Sequence, residues 1–219
     1  DDNSSTNEYA IKVDSNVRIV GAKFAMIPLD TKNFPDNTFR KILSDKYDYN
    51  NDGNLELREL LGITDFWGVD FKGVESFKGI EYLEYLTKFE VSDLKLNSLD
   101  VSKCAKLERL AVTNCNLSSL TFGSANQNLR EVDCSGNNLT KLDVSMLKSL
   151  YRLECWNNKL TGIDVSKNSE LQDFGCWKNN LTAIDVSKNL KLRDLYVGAN
   201  SISTLDISKN ELLVELECS

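Results

Sequence analysis

Residues 150–170 read LYRLECWNNKLTGIDVSKNSE, and residues 171–191 read LQDFGCWKNNLTAIDVSKNLK. The two stretches agree at their apolar positions, and the same pattern recurs through the second half of the chain. Repeats begin at Leu86, Leu107, Leu129, Leu150, Leu171, Leu192 and Leu213, a period of 21 residues with one spacing of 22. Self-similarity at such a period is typical of a solenoid, in which each repeat forms one coil and buries its apolar side against its neighbours.

Each repeat places apolar residues at offsets 0, 3, 5, 10, 13 and 15 from its first leucine, which is the leucine-rich repeat signature. The turn position at offset 8 is occupied by Leu94 and Cys115 in the two earliest repeats, and then by Asn137, Asn158, Asn179 and Asn200. Alternation at offsets 3 and 5, and again at 13 and 15, predicts two short extended segments per coil, stacked about 4.8 Å apart. The predicted fold is therefore a mostly β leucine-rich repeat solenoid with short turns over residues 63–219, preceded by a small α+β helix–loop–helix cap.

Columns of asparagine and cysteine in the repeats are predicted to be structural. The asparagines at offset 8, and a second column of Asn168, Asn189 and Asn210, are expected to bond backbone groups that the strand ladder leaves unpaired. Cys134, Cys155, Cys176 and Cys218 share offset 5. Parallel strands hold their Cβ atoms about 4.8 Å apart, whereas a disulfide needs about 3.8 Å, so buried reduced thiols are expected.

The composition disfavours several classes of protein. The chain has 219 residues, a formal charge of −7 and no histidine. The absence of histidine removes the commonest general base and a usual zinc ligand, so an enzyme is not expected. The acidic balance argues against nucleic-acid binding, and no apolar run is long enough for a transmembrane segment.

Residues 48–59 read DYNNDGNLELRE and match the twelve-residue calcium loop of an EF-hand. Gly53 stands where such a loop turns sharply. The predicted calcium ligands are Asp48, Asn50, Asp52, Asn54 through its carbonyl, Glu56 and Glu59. The alternative is an Asp/Asn-rich turn that binds no metal. Because the loop lacks a partner loop, the calcium is expected to be structural, to clamp the cap onto the first coil, and to bind at about 10⁻⁴–10⁻³ M.

The residues before this loop suggest two further segments. Residues 1–8 are acidic and rich in Ser and Asn, which predicts a solvated tether left after removal of an export signal; an arbitrary chain boundary is the alternative. Tyr9–Val13 and Val17–Val20 alternate like strands of a small hairpin packed on the cap. The predicted division is thus a tether at 1–8, a hairpin and EF-hand-like cap at 9–62, and the solenoid at 63–219.

Taken together, FPDNTFRKIL at 34–43, the loop at 48–59, KGIEYL at 78–83 and the recurring DVSKN run resemble bacterial surface leucine-rich repeat proteins. The chain is similar, more distantly, to internalin-type repeats with an EF-hand-like cap, and the resemblance covers roughly residues 34–218. It implies export, a place outside the cell or on its surface, and a protein or glycan partner on a host or neighbouring cell. Lipid anchoring through a removed N-terminal signal would be one mode of attachment.

The predicted binding face is the outward side of the first strand of each coil, at offsets 2, 4 and 6. Trp156 and Trp177 share offset 6 on adjacent coils, and exposed tryptophans are enriched at interfaces. The predicted ligand-binding residues are Arg152, Glu154, Trp156, Asp173, Trp177 and Tyr196. Gly175 and Gly198 beside them are expected to leave room for a ligand on the rings. A ladder of aromatic side chains that only stabilises the sheet is the alternative.

Three functions remain open from the sequence. The first is a non-catalytic cell-surface recognition module. The second is a structural spacer or self-assembly element, for which the uncapped C-terminal coil suggests a homodimer. The third is an enzyme using Glu154 and Asp173 as a carboxylate pair, which the open face without a pocket disfavours.

Overall fold

The computed structural model describes residues 26–219 and, as backbone, the short strands β1 (Lys12–Val13) and β2 (Val17–Arg18). β1 and β2 pair antiparallel, with Lys12 opposite Arg18. They fall within the two segments that the alternation predicted to be strands. The tether at 1–8 and the packing of the hairpin on the cap lie outside the described residues.

The N-terminal cap contains two short helices and a pair of short strands. β3 (Ile27–Pro28) pairs antiparallel with β4 (Asn54–Leu55), and the helices are α1 (Asn37–Tyr47) and α2 (Leu57–Leu60). α1 begins after Asp36, whose Oδ1 accepts a hydrogen bond from the Phe39 N–H at 2.8 Å. The other oxygen of Asp36 accepts from the N–H groups of Glu75 and Ser76, at 2.9 and 3.0 Å, and so ties the helix to the following loop. A short 3₁₀ helix at Ile80–Tyr82 leads into the first regular coil.

The solenoid is built on one parallel sheet, as the repeat predicted. Its seven strands, in spatial order, are β5 (Lys88–Ser92), β7 (Arg109–Thr113), β9 (Glu131–Asp133), β10 (Arg152–Glu154), β11 (Asp173–Gly175), β12 (Asp194–Tyr196) and β13 (Glu215–Glu217). Leu153 lies opposite Val132 on one side and Phe174 on the other, so equivalent residues of successive repeats stack in register. Leu150 and Leu171 are both fully buried in the same continuous core, which confirms the predicted stacking.

The second extended segment of each coil forms a strand ladder only at the start of the solenoid. β6 (Ser98–Asp100) pairs in parallel with β8 (Ser119–Thr121), and no strand is assigned at these offsets in the later coils of the described chain. In those coils the backbone at these offsets pairs with no neighbouring strand and leads into a turn, at residues 166–167 in the fourth repeat. In the DVS turn of the fourth repeat, for example, Asp164 Oδ1 accepts from the Ser166 N–H at 2.8 Å, and hydrogen bonding to Ser166 lowers the pKa of Asp164.

The cap and the solenoid share one hydrophobic core. Phe39 of α1 packs edge-to-face on Phe77, with ring centroids 5.0 Å apart, and Phe77 packs in the same way on Phe89 of β5 at 4.8 Å. Phe66 and Phe71 join the same cluster. The apolar edge of the first regular coil is therefore covered by Phe39 of the cap and by aromatic side chains of the segment between α2 and β5.

The asparagine column at offset 8 bonds backbone groups between coils, as predicted. Asn158 Oδ1 accepts from the Leu139 N–H at 3.0 Å, while its Nδ2 donates to the carbonyls of Cys134 and Cys155 at 3.0 and 3.1 Å. In the second column, Asn189 Nδ2 donates to the carbonyls of Val165 and Asn168. Asn126 is an earlier member of this second column that the repeat pattern did not identify.

The cysteines form no disulfides in the described chain, in agreement with the predicted strand spacing. Cys134, Cys155 and Cys176 are fully buried, and burial raises the pKa of Cys176 to about 12, so these thiols stay protonated at neutral pH. Cys218 was expected to be buried like the others but is exposed, because it follows β13, the outermost strand of the sheet. No helix among the described residues is long and apolar enough to cross a membrane.

Candidate functional site

The loop at 48–59 connects α1 to α2 and is organised by its own carboxylates. Asp48, which is 5% exposed, accepts from the N–H of Asp52 at 3.1 Å through Oδ1 and from the N–H of Gly53 at 3.0 Å through Oδ2. Gly53 has φ +81°, a left-handed conformation that glycine adopts at little cost. The first carboxylate of the predicted loop therefore holds the backbone of the turn at Gly53.

Glu59 closes the same loop from its far end. Its Oε1 accepts from the N–H of Tyr49 at 2.8 Å, and its Oε2 accepts from the N–H of Glu56 at 2.9 Å, although the residue is only 3% exposed. Glu56 stands at the N-cap position of α2, and the Glu59 carboxylate that accepts from its backbone N–H supplies one half of a capping box. Both ends of the predicted ligand set therefore hold the loop backbone in this structure.

Glu56 is the residue whose environment fits a cation best. Its Oε1 is buried and has no hydrogen-bond partner in the described chain, while Asn50 Nδ2 donates to the other oxygen at 3.3 Å. Burial, together with the negative charges of Asp52, Glu59 and Asp48, raises the pKa of Glu56. Carboxylate, amide and carbonyl oxygens are the donors that calcium takes, so the chemistry of the loop fits this ion.

The acidic side chains of the loop are not gathered around one point. Within residues 26–219, no three acidic, cysteine or histidine side chains form a metal-ligating group. Asp48 and Glu59 are engaged by backbone N–H groups, as described above, and Asn50 Nδ2 donates to Asp52 Oδ2 at 3.1 Å. The calcium assignment therefore stays a prediction that depends on the donor types and on the unpartnered Glu56 oxygen.

On the solenoid, the six predicted ligand-binding residues lie on the outward side of three adjacent strands or directly after them. Trp156 and Trp177 follow β10 and β11, and their half-buried rings stack with centroids 5.2 Å apart and planes 13° apart. This spacing is close to the distance between neighbouring strands, so the stack follows from the sheet itself. Each ring keeps part of its surface open to solvent.

Charged side chains lie beside the tryptophans. Arg152 contacts Glu154 at 3.1 Å and Asp173 at 2.9 Å, so both members of the carboxylate pair are held by one guanidinium. Burial and the nearby Asp173 nevertheless raise the pKa of Glu154 to about 7, with Arg152 opposing this and Asp133 adding to it. Hydrogen bonding to Glu215 raises the pKa of Tyr196 to about 12.

The glycines on this face do not leave the room that the sequence suggested, so that expectation was wrong. The space above Gly175 is occupied by the Glu154 carboxylate, with which an added Cβ would collide. The space at Gly198 is occupied by the backbone carbonyl of Ser219. The open surface is therefore the outer faces of the rings and the carboxylates around them.

Sequence reasoning selected too few residues of this face. Asp194, which the repeat places on the outward side, and four residues not named from the sequence also occupy outward positions of the same sheet: Glu131, Asp133, Glu215 and Glu217. Offsets 2 and 4 of the repeat mark these four as well, and applying those offsets to every coil would have found them. A further exposed residue, Trp67 at 93%, lies outside the repeats, where no periodicity points to it.

Comparisons with known proteins agree with this architecture. The Leucine Rich Repeat family matches residues 128–150. The functional domain of InlJ from Listeria monocytogenes, which includes a cysteine ladder, is 27% identical, with a TM-score of 0.61 over 89% of this chain and 48% of that one. This chain thus spans about half the length of the InlJ domain. No curated protein sequence matches the chain significantly.

Two further solved structures share the fold at lower identity. Internalin C2 from Listeria monocytogenes is 19% identical, with a TM-score of 0.55 over 87% of this chain and 95% of that chain. A leucine-rich repeat protein from Leptospira interrogans is 23% identical, with a TM-score of 0.57 over 62% of this chain and 38% of that chain. Both likenesses concern the fold alone.

Proposed function

We propose that this chain, an internalin-like leucine-rich repeat protein of bacterial type, is a non-catalytic recognition module that acts at the cell surface or outside the cell. The leucine-rich repeat fold and its internalin neighbours support protein recognition in general. The surface location, a removed signal with lipid anchoring, and the choice between a protein and a glycan partner belong to the proposal.

The observation that carries this proposal is the stacked pair of Trp156 and Trp177 on the open side of the sheet. Burial of the remaining exposed surface of a large aromatic side chain contributes favourably to the free energy of binding. Such side chains dominate the energetics of many interfaces. The rings lie on a parallel sheet with regular backbone hydrogen bonds, so binding of a partner would cost this surface little conformational entropy.

The neighbouring carboxylates support binding more than catalysis. Glu154 and Asp173 share Arg152, which ties the candidate acid–base pair into ion pairs. A binding site needs only an accessible surface of suitable chemistry, which the outward positions provide.

Calcium in the 48–59 loop is a second part of the proposal. The unpartnered Glu56 oxygen and the donor types in the loop support it. Asp48, Asn50, Asp52, Asn54, Glu56 and Glu59 would hold the ion, which would supply positive charge to a loop rich in carboxylates. Because the cap shares its core with the first coil, the ion would stabilise the start of the solenoid and take no part in chemistry on the strand face.

The test is retention of the protein on host-surface and neighbouring-cell extracts, compared between the wild type and the double variant Trp156→Ala/Trp177→Ala. Trp67→Ala is the matched control, because it removes an exposed tryptophan outside the sheet. We expect the double variant to lose at least ten-fold in retention while the control keeps it. Equal retention of all three proteins would contradict the proposal, and self-association without extract binding would favour a structural spacer or a homodimer.

A further inference from the structure

The outward surface of the last five strands is strongly acidic. We use the name acidic strand face for the outward positions of β9 to β13 together with the two stacked tryptophans. Its seven carboxylates are Glu131, Asp133, Glu154, Asp173, Asp194, Glu215 and Glu217. Among the same outward strand positions, Arg152 is the one cation, whereas β5 and β7 carry Lys88 and Arg109 with Glu90.

Several of these carboxylates have no cationic partner. Arg152 contacts Glu154 and Asp173, and Arg109 contacts Glu90 and Glu131. Within the part of the chain that the structure describes, no lysine or arginine lies within salt-bridge distance of Asp133, Asp194, Glu215 or Glu217. A surface with several uncompensated charges of one sign attracts a ligand of the opposite sign and raises its association rate.

The stacked tryptophans and a buried hydroxyl add observations that are independent of the charge. The faces of tryptophan rings attract guanidinium and ammonium groups. Ser135 precedes Trp156 in the same outward column, is fully buried, and its Oγ has no hydrogen-bond partner in the described chain. Aromatic rings and carboxylates without a cationic partner therefore occupy outward positions of the same sheet, and the buried Ser135 lies one coil before Trp156.

The spacing of the groups indicates an extended ligand instead of a metal ion. No three of these carboxylates form a metal-ligating group within residues 26–219, because the strands hold them apart. Five strands span about 19 Å from the first to the last, which corresponds to about six residues of an extended peptide. Alternate side chains of such a peptide point to the same side, so every second residue would meet the face.

We propose that the acidic strand face binds a basic, extended segment of a partner protein, with arginine or lysine at alternate positions over Trp156, Trp177 and the unpaired carboxylates. The inference rests on the proposed use of this face for recognition and specifies the chemistry of the partner. It is carried by charge complementarity together with the aromatic stack.

The experiment measures binding of an amidated Arg-Ser repeat peptide of twelve residues to the full chain, by tryptophan fluorescence and calorimetry at low and at physiological salt. A Glu-Ser peptide of the same length is the negative ligand. We expect micromolar to submillimolar binding of the basic peptide, at least five-fold weaker at the higher salt, and no binding of the acidic one. No binding of the basic peptide up to millimolar concentration, or equal binding of both peptides, would overturn the inference.

Variants locate the site. Asp194→Asn/Glu215→Gln should lower the affinity for the basic peptide at least three-fold at low salt. Trp156→Ala/Trp177→Ala should lower this affinity about ten-fold. Glu84→Gln/Glu211→Gln removes the same charge from exposed positions off the face and should leave binding unchanged. Equal weakening by all three pairs, with the folds checked by circular dichroism, would show a non-specific charge effect and refute the site.

Failure of this inference can be distinguished from failure of the proposed function. If the protein is retained on extracts through Trp156 and Trp177 but does not bind the basic peptide, the proposed recognition function stands and a basic partner is excluded. A neutral glycan that competes for the same tryptophans would also overturn the inference. If neither extracts nor the peptide bind through the face, both fail.

Discussion

The side chain of Glu154 lies over the backbone of Gly175, so close that a Cβ at position 175 would collide with its carboxylate. This arrangement removes much of Glu154 from water although it stands on the outer side of the sheet. Asp173 and Asp133 are near it, and Arg152 compensates only partly, so the pKa of Glu154 rises to about 7. A carboxyl group that faces outward thus releases its proton near neutral pH.

Replacing Glu154 by glutamine is expected to stabilise the protein above pH 7 and to have little effect near pH 4. In the unfolded chain the group has a pKa of 4.5, so between about pH 4.5 and 7 the folded state holds a proton that the unfolded state has released. The free energy of unfolding of the wild type therefore falls as the pH rises through this window. Allowing for solvent screening, we expect a gain of about 1–2 kcal/mol in the variant at pH 8, or about 2–8 °C in Tm.

The measurement is thermal unfolding of both proteins from pH 4 to pH 8. Glu217→Gln is the control, since Glu217 lies on the same face but is exposed. A stability difference between the wild type and Glu154→Gln that does not change with pH would contradict the prediction.

Gly175→Ala is expected to cost less than about 1 kcal/mol in the free energy of unfolding and to release Glu154 into solvent. The colliding atoms belong to the end of a flexible side chain, which can rotate outward, and φ at Gly175 is not in the left-handed region. The pKa of Glu154 should then fall towards its ordinary value. Glu154→Gln added to this variant should no longer stabilise the protein at pH 8.

Gly162→Ala is the matched control, because a Cβ at Gly162 would meet no atom within 4 Å. Urea titrations of the single and double variants give the coupling between the two sites. A cost of several kcal/mol for Gly175→Ala, or full additivity with Glu154→Gln, would show that the two residues do not interact as the structure indicates.

The sequence predicted the features that follow from the repeat period. It did not predict features that depend on which rotamer a side chain adopts or on contacts within irregular segments. The 21-residue spacing places Leu150 above Leu171 and Trp156 beside Trp177, because the geometry of a parallel sheet leaves no other register. The rotation of Glu154 over Gly175 depends on the neighbouring charges and has no signature in the repeat. The ring contacts around Phe77 have no signature in the repeat either, since Phe66, Phe71 and Phe77 lie in the irregular segment between α2 and β5.

The two asparagine columns are expected to differ in how much they stabilise the solenoid. Asn158 both donates to backbone carbonyls and accepts from the Leu139 N–H, whereas Asn189 only donates, since its Oδ1 has no partner in the described chain. Asn158→Ala leaves buried donors and acceptors unpaired and should cost about 3–4 kcal/mol; Asn189→Ala should cost about 2 kcal/mol.

Urea unfolding of the two variants checks this order. Asn180→Ala serves as the control for removal of an exposed asparagine and should change the free energy of unfolding by less than about 0.5 kcal/mol. A larger loss for Asn189→Ala than for Asn158→Ala would mean that the hydrogen bonds assigned to the first column are not the ones that hold the coils together.

Calcium is expected to raise the melting temperature of the protein by binding the loop between α1 and α2. With a dissociation constant of about 0.5 mM, 5 mM calcium would add about 1.4 kcal/mol to the free energy of unfolding, or about 3–6 °C in Tm. Asp52→Asn should abolish most of this shift, because Asp52 is one of the predicted calcium ligands. Its side chain is exposed, so the substitution should not disturb the packing of the cap. Asp45→Asn, an exposed site in α1 outside the loop, should keep the full shift.

Thermal scans with calcium, with magnesium and with a chelator check the prediction. A shift of equal size in Asp52→Asn, or no shift in the wild type at millimolar calcium, would identify residues 48–59 as a turn without a metal.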